Sequence, residues 1–184
     1  MLKKLGIGTV KKQDFLENQV NRAYLSLGSN LGKKKKNLEL TKYLLNSFSI
    51  HIIKSSSYYQ SKSWPDKKFP DYYNIVLFVK TTFGIVDLYK KIKKIEKIIG
   101  RKIAPKNHPR ICDIDIIDFN GMTIAMNYKK NEIILPHKAM HNRNFVLLPL
   151  YEINKDWYHP KIKKNIVNLL SNLSILDLTS IKLI

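Results

Sequence analysis

Cysteine is almost missing from this chain: Cys112 stands alone among 184 residues. No internal disulfide can form, and the composition fits a reducing compartment. Long apolar runs are missing too, since nothing approaches the roughly 18 residues a membrane-spanning helix needs. The opening stretch is broken by Gly6 and Gly8 and runs into Lys11-Lys12, which does not suit a signal peptide. A soluble, cytoplasmic protein is expected. Acidic residues are few, 14 against 33 basic ones, for a net charge of +19. Arginine is scarcer still, because every basic residue except Arg22, Arg101, Arg110 and Arg143 is lysine. That excess of Lys reads as a global usage bias more readily than as a nucleic-acid footprint. In such a chain an Arg marks a place that needs the planar, bidentate fork Lys cannot supply. Three of the four lie between residues 101 and 143, and chemistry is expected there.

What is present is ordinary globular material, 44% hydrophobic and 26% charged. The length suits one domain able to bury about 70% of its unfolded surface. Residues 1–21 show no period and read as an N-terminal extension, with a single domain over 22–184. Residues 22–27 alternate and end at Gly28-Ser29-Asn30, a strand running into a turn. Residues 37–48 predict an amphipathic helix whose first turn is crowded by Lys33 to Lys36, taken as solvated. Residues 50–63 and 72–82 predict strands. Residues 86–99 predict the clearest helix, with Leu88, Ile92, Ile95, Ile98 and Ile99 on one face and lysines on the other. Asp87 sits in its first turn and Gly100 follows its end. Residues 111–119 alternate as a strand, Asn120-Gly121 makes a turn, and a short strand at 133–135 stops at Pro136. Residues 164–173 predict a last helix. The order suggests an α+β, ferredoxin-like sandwich with a mostly antiparallel sheet flanked by helices.

Asp113 and Asp115 are two apart on a strand, so both carboxylates leave one face while Cys112, Ile114 and Ile116 take the other. Paired like charges invite a hard cation, and Mg²⁺ takes one or two carboxylates plus substrate phosphates. The alternative is a solvent-facing edge with two unrelated acids. Arg110 nearby turns the pair toward phosphate handling. Cys112 reads as a small core side chain. His137 and Arg143 could both donate to one polyphosphate. Gly28-Ser29-Asn30 could present N–H groups to an anion or be a plain turn, and it lacks the spacing and lysine of a P-loop.

Five segments together carry a resemblance. They are residues 24–32, YLSLGSNLG; 69–74, FPDYYN; Glu96 with Gly100-Arg101; 109–117, PRICDIDII; and 135–150, from Leu135-Pro136-His137 through Arg143 to Leu150. In order and spacing, from about Arg22 to Leu170, they resemble the 6-hydroxymethyl-7,8-dihydropterin pyrophosphokinases of folate biosynthesis. The resemblance implies transfer of the β,γ-pyrophosphoryl group of ATP to the pterin's hydroxymethyl oxygen, releasing AMP. It implies two Mg²⁺ ions on Asp113 and Asp115, and a catalytic loop carrying Arg101 and Arg110. It places Glu96, Arg110, His137 and Arg143 at the nucleotide. It places Ser61, Trp64, Tyr72, Asn74 and Phe145 at the pterin, with Tyr72 and Phe145 sandwiching the ring. The partners it implies are these two small molecules, with association or fusion to neighbouring folate enzymes; no nucleic acid and no membrane. Departures from the family pattern fall at Asn107-His108, Lys138, Trp64 and Lys62.

Two other readings compete. A basic ferredoxin-like module could bind RNA, although its central strand carries Asp113 and Asp115 where an RNA-reading sheet shows aromatics. An inactive folate-pathway partner would not need the Asp pair or the arginines.

Overall fold

The computed structural model describes residues 20–63, 68–102, 108–129 and 131–184. The extension expected over 1–21 therefore lies outside the described residues up to 19, and Asn21 already belongs to the first strand. Strand β1 (Asn21–Ser29) leads to helix α1 (Lys34–Ser47), then β2 (His51–Ser55), β3 (Tyr59–Ser61) and β4 (Tyr72–Thr81). Helix α2 (Ile85–Ile99) follows, then β5 (Asp113–Phe119) and the hairpin β6 (Ile124–Tyr128) and β7 (Asn131–Leu135). A 3-10 turn at Met140–Asn142 precedes α3 (Asn144–Ile153). The chain finishes with β8 (Tyr158–His159), β9 (Lys164–Asn165), α4 (Ile166–Leu170), α5 (Ile175–Thr179) and β10 (Lys182–Leu183).

The main sheet runs β10-β3-β4-β1-β5, with β2 also on β4, and its pairs are antiparallel. Each strand alternates between two cores. Leu25, Leu27, Ile75, Leu77 and Ile114 pack under α1 and α2 with Leu38, Leu45, Leu88, Ile92 and Ile95. Val76 and Ile117 pack on the other side with Val146, Leu147 and Leu150 of α3 and Ile166 of α4. The expected α+β, ferredoxin-like architecture is what forms. With helices on both faces, the open aromatic platform an RNA-reading sheet needs is absent among the described residues. No helix among them is long and apolar enough to cross a membrane.

Several expectations need correction. Gly28 and Ser29 belong to β1 instead of a turn, paired with Asn74 and Tyr73. Helix α1 starts at Lys34 with no acid in its first turn, yet its lysines are not simply solvated. Lys34 Nζ donates to the Asp71 carbonyl at 2.9 Å and lies 4.2 Å from the Tyr73 ring centre, which offsets the unfavourable dipole end. On α2, Ile98 is 51% exposed and leaves the buried face, while Gly100 takes φ 100° and closes the helix as a left-handed cap. The predicted last helix begins only at Ile166, because Lys164 and Asn165 pair with β8. Helix α3 and strand β6 were not expected. Helix α3 is apolar almost all round and holds Pro149, so neither an amphipathic stripe nor an uninterrupted run announces it.

Candidate functional site

The alternation that builds the cores also builds a site. On the α3 side of the sheet, β4 shows Tyr72, Asn74, Val76 and Phe78, β1 shows Tyr24, Ser26 and Gly28, and β5 shows Asp113, Asp115 and Ile117. Register aligns them across the strands: Asn74, Gly28 and Asp113 form one row, and Val76, Ser26 and Asp115 the next. Helix α3 covers the apolar rows and begins at Asn144, so the row of Asn74 and Asp113 is left open. The result is a cleft of about 660 Å³, mouth included, lined by Ser61, Tyr72, Asn74, Arg110, Arg143 and Phe145 around the two aspartates. A second cleft of about 740 Å³ lies between β5 and β7. It is walled by Ile114, Ile116, Ile133 and Leu135, with His137 and Lys138, and the two clefts meet at Asp115.

Asp113 stands between two cations, and Asp115 between a cation and an imidazole. Asp113 pairs with Arg101 at 2.7 Å through Oδ1 and with Arg110 at 2.9 Å through Oδ2. Asp115 Oδ2 lies 3.5 Å from Arg143 and 3.8 Å from His137 Nε2. His137 Nδ1 accepts the Ala139 N–H at 3.3 Å, so its proton belongs on Nε2, toward Asp115. Burial holds the His137 imidazole below its ordinary pKa, against the pull of Asp115. The arrangement is a half-exposed acid pair inside a basic ring, with hard oxygen donors on one strand face. Among the described residues no cluster of three or more His, Cys, Asp or Glu could hold a metal ion. Two carboxylates without a cage fit a Mg²⁺ whose other ligands are water and substrate phosphate.

The aromatic pair expected at the pterin faces the same cleft. Tyr72 comes from the start of β4, and burial, then Asp113, push its phenol up. Phe145 comes from the first turn of α3, with the Arg143 guanidinium 5.6 Å from its ring centre. Asn74 is buried, and its Nδ2 donates to Ser61 Oγ at 2.9 Å, so Ser61 holds the amide in place. Trp64 lies outside the described residues, as does Asn107. His108 tilts against Phe69 with ring centres 5.5 Å apart.

Glu96 stands apart from these. Only 2% exposed, it sits behind Asp113 and receives the Ile114 N–H at 2.9 Å, Lys93 Nζ at 2.9 Å and the Arg101 guanidinium. Burial raises its pKa even though Lys93 and Arg101 oppose the shift. It lines neither cleft, and its geometry is that of a clamp on Arg101 and β5. Cys112 is the core side chain expected: burial pushes its thiol up to about 12, with the Thr41 hydroxyl at 3.2 Å.

The sequence reading missed Ser26 and gave Gly28 and Asn30 only as part of a turn that could present N–H groups to an anion. Ser26 and Gly28 line the cleft, and a glycine inside a strand was the available signal, since it marks close backbone approach. The pairing that Asn30 makes had no signal in the sequence. Asn30 is 2% exposed and trades bonds with the Arg110 backbone, Oδ1 to its N–H at 2.7 Å and its own N–H to the Arg110 carbonyl at 3.1 Å. Its Nδ2 reaches the Pro70 carbonyl at 3.2 Å, so it joins both loops beside the cleft.

Residues 24–155 match the family model of 7,8-dihydro-6-hydroxymethylpterin-pyrophosphokinase (HPPK). The chain belongs to the HPPK family. An HPPK of Aquifex aeolicus is 36% identical over 77% of this chain and 85% of its own length, and one of Haemophilus influenzae 34% over 75% and 84%. The folic acid synthesis protein FOL1 of Dictyostelium discoideum is 38% identical over 77% of this chain, but this chain spans only 21% of that protein. A triple-mutant HPPK-DHPS of Plasmodium falciparum superposes with a TM-score of 0.71 at 19% identity, over 84% of this chain and 44% of that one, which places the fold. The enzyme class read from the motifs, a pyrophosphokinase of folate biosynthesis, thus agrees with HPPK membership.

Proposed function

We propose that residues 22–184 form one pyrophosphokinase domain that moves the β,γ-pyrophosphoryl group of ATP to the hydroxymethyl oxygen of 6-hydroxymethyl-7,8-dihydropterin, releasing AMP. The observation that carries this is the meeting of two clefts at an acid pair ringed by Arg101, Arg110, His137 and Arg143. A flat heterocycle suits the first cleft, between Tyr72 and Phe145, and Asn74 is preset by Ser61 to hydrogen-bond its edge. The nucleotide suits the apolar second cleft, which brings its phosphates to Asp115 between His137 and Arg143. Mg²⁺ held by Asp113 and Asp115 would neutralise phosphate charge and lower the proton affinity of the attacking hydroxyl. Arg101 and Arg110 grip Asp113 in the free protein and are placed to turn their forks onto the group in transfer, where charge develops. Glu96 acts as a positioning residue for Arg101. Relatives that carry this unit inside longer chains, such as the bifunctional protein FolKE of Lactococcus lactis, support work beside another folate enzyme.

The deciding experiment is AMP release from ATP on adding 6-hydroxymethyl-7,8-dihydropterin and Mg²⁺. Release that needs all three is expected. AMP formed without the pterin, or none at all, refutes the reading.

A further inference from the structure

The segment after Leu173 lies beyond residues 24–155 that match the HPPK family, yet it bonds to residues next in sequence to lining residues on two sides of the first cleft. Asn144 Nδ2 donates to the Asp177 carbonyl and, at 3.0 Å, to Ser180 Oγ. Asn144 stands between Arg143 and Phe145, which line the cleft, and its Oδ1 receives the Phe145 N–H at 2.7 Å. From there the chain reaches the sheet edge, where Lys182 pairs with Gln60 and Leu183 with Tyr59. Ile184 N–H donates to the Tyr58 carbonyl at 3.0 Å. Gln60 in turn precedes Ser61, and its amide donates to Asp71 Oδ2 at 2.8 Å, beside Tyr72.

Hydrophobic burial does not hold this segment. Helix α5 buries no residue, and Ile175 and Leu176 are 79% and 81% exposed. Polar bonds hold it at Asp177 and Ser180 and again from Lys182 to Ile184, and each set lands on an element that carries a cleft residue. We propose that residues 174–184 are a strap that sets the separation of Phe145 from Ser61 and Tyr72, with Asn144 as the positioning residue that anchors it. The substrate it serves rests on the pterin reading above.

The test compares the full chain with Asn144→Asp and with a variant lacking residues 174–184. Asp at position 144 keeps the acceptor for the Phe145 N–H and suits a helix N-terminus, but it removes the donor to the strap. Losing such bonds is expected to raise the pterin Kd and KM about fivefold in both variants, with the ATP constants unchanged. Unchanged pterin constants overturn the strap. So does a parallel rise in both substrates' constants with a lower Tm, the mark of general loosening. Amide hydrogen exchange at Ser61 and Gln60, away from the substituted side chain, gives a second reading that needs no substrate. It should quicken in both variants, and unchanged exchange overturns the strap. Failure of the parent protein to bind the pterin would sink the substrate assignment alone, and the exchange result would still decide the strap.

Discussion

The side-chain oxygen of Asn30 accepts the backbone N–H of Arg110 at 2.7 Å, across 80 residues of sequence. Through this bond the end of β1 fixes where the arginine loop rejoins β5. Asn30→Ala leaves a partly buried backbone N–H without this partner, which costs about 1 kcal/mol of stability. A guanidinium displaced by about 1 Å can cost on the order of 10² in rate. Denaturant unfolding and single-turnover kinetics should therefore show both losses. A variant that loses stability but keeps full single-turnover rate would confine Asn30 to a structural role.

Asp113 and Asp115 share a strand face and sit under opposing cations. Asp113→Asn and Asp115→Asn should each nearly abolish pyrophosphoryl transfer while near-UV circular dichroism stays native. Activity of either variant should not return at high Mg²⁺. Retention of most activity in both at ordinary Mg²⁺ would refute the metal assignment.

The arginines test the residue bias. Arg110→Lys and Arg101→Lys keep the charge but lose the fork, and losing one preorganised donor costs about 10²–10³ in rate. Lys102→Arg, on an exposed neighbour of the same loop, is the matched control and should change little. Equal single-turnover rates in all three would make the arginines surface charge.

Gly28 is a steric gate. A Cβ there would meet Asn74 Oδ1 and the Tyr72 ring at 3.3 Å each. Gly28→Val should raise the pterin KM by at least tenfold, since misplaced contacts cost on the order of 10², with a smaller change for ATP. Steady-state titration of each substrate checks the split.

His159 is buried, and its Nδ1 accepts the N–H groups of Lys161 and Ile162 at 3.3 Å each. Burial, then His141, hold its pKa below the ordinary 6.5. Because the folded pKa is depressed, the unfolded chain takes up the proton first as pH falls. Stability is full above about pH 6.5 and declines below it, toward the folded pKa. Tm measured from pH 8 to pH 5 should show this decline, and His159→Gln should flatten it. An unchanged slope in the variant would mean other groups cause it.

Much of the site was legible because strand parity is local. A period of two puts Asp113 and Asp115 on one face whatever surrounds them; residue chemistry near that pair pointed to Arg110, His137 and Arg143, and the family resemblance implied Tyr72, Asn74 and Phe145. The capped helix α2 and the αL Gly100 follow from short-range backbone preference in the same way. Only the tertiary structure decided that Gly28 belongs to a strand, that Glu96 is a clamp behind the cleft, and that Lys34 serves Asp71. It alone joined Asn30 to Arg110 and Asn144 to Ser180. Each of these depends on partners that register and packing bring together from distant parts of the chain, and no local period in the sequence records such a pairing.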